Sequence, residues 1–239
     1  MATYKPIKRY LIPLVALFIG GSLAFLFVPS KMDYEWKIWR DQTIEWEKQH
    51  YAVKGSFTLN GEVVTNEIGD WSEENSHLNV SVVVSDDSVF EFQVVFQEER
   101  IYINSADTWY QNELSPRFVE EFAPLYQPFS WMRELLKEAD RIEKNRGGEL
   151  TTYTAFFDTF DKFEFRGYEL SEQEQTSLTV IEKEGQIQSF TFDVNPIRPE
   201  TIGPLDSYPN QLSYTMSFTI IDEVQIVLPK EAYEGEKLE

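Results

Sequence analysis

Nineteen consecutive residues near the N-terminus, Tyr10–Val28, carry no charge. An apolar run of about this length is what a helix needs to cross the roughly 30 Å hydrocarbon layer of a bilayer. Three basic residues and no acidic residue precede the run. Because the cytoplasmic flanks of membrane helices are positively charged, the sequence predicts residues 1–9 as a cytoplasmic tail and residues 10–28 as a transmembrane anchor. Everything after Pro29 is then expected outside the cell.

A cleaved secretory signal is the alternative interpretation of the same run. Such signals have a shorter apolar core and a small-x-small cleavage site. Ala24 is the only nearby small residue that could begin such a site, and the bulky residues 25–27 follow it. A lipid anchor is excluded because the chain has no cysteine. The sequence therefore favours a single-pass protein of the cell membrane, with its C-terminal domain extracellular.

The charge of the outer portion narrows the class of partner. After Val28 the chain has 41 acidic and 18 basic residues, a net charge of −23. A field of that sign repels nucleic acid and anionic lipid headgroups, so a nucleic-acid-binding role is excluded. The alternative is that the charge serves only a solvated, aggregation-resistant surface. The lack of cysteine also excludes thiolate metal sites, thiol nucleophiles and thiol redox chemistry.

Behind the anchor, the sequence predicts residues 29–45 as a juxtamembrane segment, residues 46–233 as an extracellular domain and residues 234–239 as a flexible tail. Residues 31–50 are predicted as a helix, because its aromatic residues recur at steps of three and four on one face. We expect Tyr34 and Trp36 in an interfacial aromatic belt and Trp46 in the core.

From Tyr51 the hydrophobic period changes to two, which is typical of half-buried strands. Asn60-Gly61 is a strong signal for a two-residue hairpin turn. Consecutive strands of this kind predict an antiparallel meander. The predicted strands are residues 51–59, 62–66, 78–84, 89–96, 100–104, 108–111, 150–157, 176–183, 187–194, 212–221 and 224–228.

Two helices interrupt the predicted meander. The first begins at Ser115-Pro116, since serine is a common cap and proline fits the first helical position. The second is capped by Ser130, runs from Trp131 to about Asn145 and ends at Gly147-Gly148. Strands and segregated helices together indicate an α+β fold.

Three segments carry a resemblance to a known family. They are Tyr51–Phe57 after an N-terminal helix, the hairpin of Ile101–Asn104 with Thr108–Tyr110, and the closing stretch Val224–Glu231. Together they resemble the half-barrel domains of bacterial lipoprotein carriers of the LolA and LppX type and of related Firmicute lipoproteins. The resemblance implies a curved antiparallel sheet wrapped around a few helices. The chain departs from the family in its anchor, since family members often carry a lipidated cysteine.

The resemblance also implies a function. In these families the sheet encloses an apolar cavity, so we expect a membrane-anchored binding protein that holds an apolar, lipid-like ligand. Aromatic residues of the strands are then the expected ligand contacts: Phe57, Phe90, Phe92, Phe96, Tyr102, Trp109, Phe190, Phe192 and Phe218.

Two alternatives stay open at this point. The same aromatic residues could simply pack against the helices, as buried aromatic residues usually do. The protein could also be a non-enzymatic assembly or regulatory subunit that docks a protein partner at the cell envelope.

Catalytic and metal-binding signals are weak. His50 and His77 have no metal-ligand neighbour four residues on, and no HExxH, GxSxG or phosphate-loop motif occurs. Asp158 and Asp161 lie among aromatic residues but lack the spacing of a calcium loop. We therefore expect no catalytic residue, no metal, no cofactor and no enzymatic activity. A wall-facing hydrolase that uses these two carboxylates is a third alternative, since a glycosidase needs two carboxylates across a cleft.

Overall fold

The structure is a computed structural model that describes residues 31–85, 88–97, 99–115, 122–158, 163–165, 168–170, 173–198, 200 and 208–237. The predicted cytoplasmic tail and the anchor Tyr10–Val28 lie outside the described residues. Within those ranges, no helix has both the length and the apolar character that crossing a bilayer requires.

Strands dominate the described chain. The strands are β1 His50–Leu59, β2 Glu62–Trp71, β3 Asn75–Ser85, β4 Ser88–Gln97, β5 Arg100–Ser105, β6 Thr108–Glu113, β7 Arg141–Gly147, β8 Leu150–Phe157, β9 Phe163–Phe165, β10 Tyr168–Leu170, β11 Gln173–Lys183, β12 Gln186–Pro196, β13 Leu212–Ile221 and β14 Glu236–Lys237. Twelve of them form one sheet in the order β14-β6-β5-β4-β3-β2-β1-β13-β12-β11-β8-β7, while β9 and β10 pair separately. Every pairing is antiparallel except that of β14 with β6.

The described helices are α1 Lys31–Glu47, α2 Ala123–Tyr126, α3 Pro128–Lys137 and α4 Lys230–Tyr233. The sheet is curved and not closed, and its two edge strands are β14 and β7. The concave face carries α1 and α3, because aromatic residues of both helices pack against buried rings of that face. The predicted α+β class, with a curved antiparallel sheet around a few helices, is confirmed for the described residues.

Alternation and turn chemistry explain the strands that the sequence predicted. In β1 the side chains of Tyr51, Val53 and Phe57 are buried, while those between them are more exposed. Asn60 and Gly61 both have positive φ, 53° and 84°, as the tight turn between β1 and β2 requires. The strand β1 pairs antiparallel with β13 on one side and with β2 on the other, so Gly55 lies between Met216 and Glu67.

The helix α1 belongs to the same core as the sheet. Trp39 and Thr43, within the predicted juxtamembrane segment 29–45, are fully buried. Trp46 is buried as predicted, and its indole N–H donates to the carbonyl of Gly185 at 2.8 Å. Trp36, predicted in an interfacial belt, packs partly against the core, whereas Tyr34 is exposed.

Burial also changes the chemistry of one core phenol. Tyr51 donates to the carbonyl of Trp46 at 3.0 Å and packs against the ring of Phe218. Desolvation raises the pKa of the Tyr51 hydroxyl above its ordinary value, because the charged phenolate is disfavoured in the core. The group therefore stays neutral and keeps its hydrogen bond at physiological pH.

The predicted helix from Trp131 to Asn145 is wrong in its second half. The helix α3 begins at Pro128 and ends at Lys137, and residues 141–147 form β7. Ile142 is buried opposite Ala155 in the β7–β8 ladder. Backbone pairing with β8 overrides the local helical spacing of these residues. Gly148, with φ 66°, belongs to the β7–β8 turn and does not cap a helix.

The C-terminal segment also differs from its prediction. Residues 224–228 form no strand, and the side chains of Ile226 and Leu228 instead pack on the outer, convex face of the sheet. Within the predicted tail 234–239, Glu236–Lys237 pair with β6. The helix predicted from Ser115 falls mainly on residues 116–121, which lie outside the described residues.

Candidate functional site

Five of the nine predicted ligand contacts lie buried on the concave face. These residues are Phe57, Phe96, Phe190, Phe192 and Phe218. Each of them contacts at least one other aromatic ring within 6 Å. Packing of these side chains against other rings of the protein is enough to explain their burial, without a ligand.

The helix α3 fills the middle of the concave face. The ring of Phe129 lies 5.1 Å from that of Trp71, 5.3 Å from Phe218 and 5.7 Å from Tyr51. Trp131, two residues further along α3, lies over β12, and its ring is 5.3 Å from that of Phe192. Phe129 is fully buried, so this stretch of the face is a packed core.

Tyr102 and Trp109 lie on the opposite, convex face. Tyr102 pairs with Val95 across β4 and β5, and both pack against Ala232 of α4. Trp109 pairs with Asn104 and is half-buried at the margin of this small cluster. The sequence prediction grouped them with the concave residues because alternation within short strands does not reveal which face is which.

The two remaining residues, Phe90 and Phe92, lie on the part of the concave face that α3 does not cover. Phe90 is 49% exposed, and its ring lies 5.5 Å from that of the half-buried Phe92. Val82 pairs with Phe90 on the same face, and Val84, 66% exposed, follows at the end of the hairpin. We call these four residues, Val82, Val84, Phe90 and Phe92, the apolar rim.

A buried carboxylate lies deeper on the concave face. Glu67 of β2 is fully buried, and the Tyr214 hydroxyl donates to its Oε2 at 2.9 Å. A methyl group on Gly55 would meet that oxygen, so the glycine makes room for the carboxylate. Burying a carboxylate requires such hydrogen bonds, since an unpaired charge in a core is costly. This pair therefore helps to hold β2 against β13 across β1.

Of the residues screened for catalysis, the three that the structure describes lie in different parts of the sheet. The Nδ1 of His50 lies 3.1 Å from the carbonyl oxygen of Asp222, and His77 lies in β3 on the convex face. The backbone N–H of Asp158 donates to Asp140, while Asp161 lies outside the described residues. The described part of the chain holds no group of three or more possible metal ligands.

The convex face carries a regular row of polar side chains that the sequence prediction did not identify. Seven neighbouring strands, from β8 to β3, each place one hydroxyl or amide in the same register: Thr154, Thr179, Thr191, Thr215, Ser56, Asn66 and Ser81. We call this set the hydroxyl row. The hydroxyls of Thr191 and Thr215 hydrogen bond to each other at 3.0 Å. In the sequence, these residues are the polar positions of strands in which apolar and polar residues alternate.

Beside the hydroxyl row, three amide side chains cross the strands β3, β4 and β5. Asn79 pairs with Gln93, and Gln93 pairs with Asn104; we call these three residues the amide row. They line a groove of about 420 Å³ together with the polar residues Ser81, Glu91 and Asp107. The Ser81 hydroxyl donates to Glu91 at 3.4 Å.

Comparison with known proteins assigns no family. No protein-family description and no curated protein matches the chain. Among solved structures, the crystal structure of LprF from Mycobacterium bovis is similar, with a TM-score of 0.45 and 10% sequence identity. That similarity covers 81% of this chain and 96% of the LprF chain.

Proposed function

We propose that the chain is a single-pass membrane protein whose extracytoplasmic domain holds an apolar, lipid-like ligand at the apolar rim. Tyr10–Val28 would be the membrane anchor, with the N-terminus in the cytoplasm. Only two residues separate Val28 from the start of α1 at Lys31, so the domain would lie close to the bilayer surface. The proposed role involves binding and no catalysis.

The single observation that carries this proposal is the exposure of Phe90 beside Phe92. Where α3 covers the sheet, the aromatic side chains of the concave face are buried. At the rim, a half-exposed phenylalanine lies within a set of valines on the same hairpin. Contiguous exposed apolar surface on a curved sheet is typical of a site that an apolar group covers.

Charge narrows the class of lipid. The formal net charge of the chain is −20, and all its acidic residues follow the anchor. Such a domain repels anionic headgroups, so the ligand we propose is an uncharged or zwitterionic lipid. Its acyl chain would lie against Phe90 and Phe92, and its headgroup would stay in water.

The direct test uses residues 31–239, which contain all the helices and strands described above. We expect the purified domain to retain neutral lipid, detected by mass spectrometry after solvent extraction, and to bind a fluorescent diacylglycerol. Phe90→Glu is expected to weaken diacylglycerol binding at least about tenfold, since a charge at the rim must lose its water when the ligand binds.

Ile68→Glu is the matched control for that variant. Ile68 is 55% exposed and lies on the opposite face of the sheet, where it pairs with Asn79. The control is expected to bind diacylglycerol like the unchanged domain. Equal loss in the two variants, or a domain that retains and binds no lipid, would contradict the proposal.

A second candidate function is supported by the other face of the same hairpin. Val83 and Val89 pair with each other and are both exposed on the convex side. A ligand bound to the concave face would leave these two valines uncovered. A protein partner that binds around the end of the hairpin would cover both of its faces. Cross-linking of this hairpin to a membrane protein partner, lost in Val89→Glu but not in Ile68→Glu, would support docking instead.

A further inference from the structure

We propose that the groove along the amide row, on the convex face, binds an uncharged glycan. The amide row lies on the face of β3 and β4 opposite to the side chains of Phe90 and Phe92, although Phe92 also borders the groove. This inference therefore does not depend on the proposed lipid-binding function.

The groove is open to solvent, with a volume of about 420 Å³, so it suits an extended ligand that keeps one side in water. Asn79, Gln93 and Asn104 stand on three adjacent strands, so they are spaced at about 4.8 Å steps across the sheet. Trp109 follows in the same register on β6, where a half-buried indole could stack against a sugar ring.

The chemistry of the groove matches hydroxyl-rich ligands. Each side-chain amide offers two donors and one acceptor, so it can bond to a sugar hydroxyl in either sense. Within the described residues, no hydrogen bond engages the side-chain amides of Asn79, Gln93 or Asn104. The carboxylates of Glu91 and Asp107 add acceptors at the margin of the groove. The amide groups are therefore available to a ligand.

The distribution of charge argues that the ligand is uncharged. In the same register the hydroxyl row is followed by Glu91 on β4 and by Glu143 on β7, so a carboxylate stands at each of its ends. Anionic polymers are disfavoured by the net charge of −20 and by Glu91 and Asp107.

The hydroxyl row extends the same chemistry away from the groove. Its seven side chains span about 29 Å across the strands, given the usual strand spacing. A glycan longer than the groove would therefore continue over Ser81 and Asn66 and meet further hydroxyl groups. Longer oligosaccharides are accordingly expected to bind more tightly than short ones.

The experiment is calorimetric titration of the full chain in phosphatidylcholine nanodiscs with cellohexaose and with hexa-N-acetylchitohexaose. These two probes separate a preference for plain hydroxyls from a preference for N-acetyl groups, which the amide row could also bond. We expect at least one hexasaccharide to bind, and its disaccharide to bind more weakly. The double variant Gln93→Ala/Asn104→Ala is expected to lose at least tenfold in affinity.

Asn145→Ala is the control on the same face. Asn145 is an exposed asparagine of β7, at the far edge of the sheet from the groove. It is expected to leave hexasaccharide affinity unchanged. Absence of binding for both sugars overturns the proposal, and so does binding that the double variant leaves intact while circular dichroism shows both variants folded.

Discussion

Replacing Phe129 by alanine is expected to lower the free energy of unfolding by about 3–5 kcal/mol. Phe129 is fully buried and is the residue of α3 whose ring contacts Trp46, Tyr51, Trp71 and Phe218. Its removal opens a cavity between the helices and the sheet, where the surrounding rings relax only in part. Urea unfolding of residues 31–239 measures the change, with an unchanged slope if the transition stays two-state.

Phe90→Ala is the same chemical change at an exposed position and serves as the control. Because half of Phe90 already contacts water, we expect it to cost less than about 1 kcal/mol. A cost at position 129 as small as the one expected at position 90 would contradict a concave face packed by α3. Such a result would indicate that the middle of the face is open to a ligand.

Gly69→Ala is expected to destabilise the domain by about 3 kcal/mol or more, at the upper end of the range for overpacking. An added methyl group at Gly69 would overlap the carbonyl oxygen of His77 and would lie 2.8 Å from the Cα of Leu78. Both atoms belong to the backbone of β3, so no side-chain rotation relieves the contact. Replacing a glycine in a strand stabilises the fold by at most about 1 kcal/mol. The clash outweighs that gain, so the variant is expected to be destabilised.

Gly147→Ala provides the matched control. Nothing lies within 4 Å of a methyl group at Gly147, and its φ is not positive. Alanine there is expected to be neutral or to stabilise slightly, because it restricts the unfolded chain. A Gly69→Ala variant as stable as Gly147→Ala would contradict the close approach of β2 and β3.

Most strands could be predicted from the sequence because the signal is local. Alternation in β1 and the Asn60-Gly61 turn predict the hairpin of β1 and β2, whereas the register shift between Phe57 and Thr58 could not be predicted from either. The strand β7 was missed because Ile142 continues the helical spacing of the residues before it, and Gly147-Gly148 is compatible with a helix end as well as with a hairpin turn. The structure uses Gly148 for the turn between β7 and β8, so the two strands form a local hairpin.

The candidate site was predicted only in part. Phe90 and Phe92 were identified as aromatic strand residues, but the sequence does not show how far α3 covers the sheet. Tyr102 and Trp109 lie on the other face, where residues far along the chain pack on them. The amide row was missed because its register joins three strands, and each of its residues looks like an ordinary solvent-facing position.

The central claim is that the apolar rim holds a lipid, and photo-cross-linking in the intact membrane tests it most directly. A benzoylphenylalanine at position 90 of the full chain replaces one aromatic ring by another, and the same residue at position 68 reports the opposite face. We predict lipid adducts at position 90, identified by mass spectrometry, and none at position 68. No lipid adduct at position 90, or equal labelling at both positions, would contradict the account.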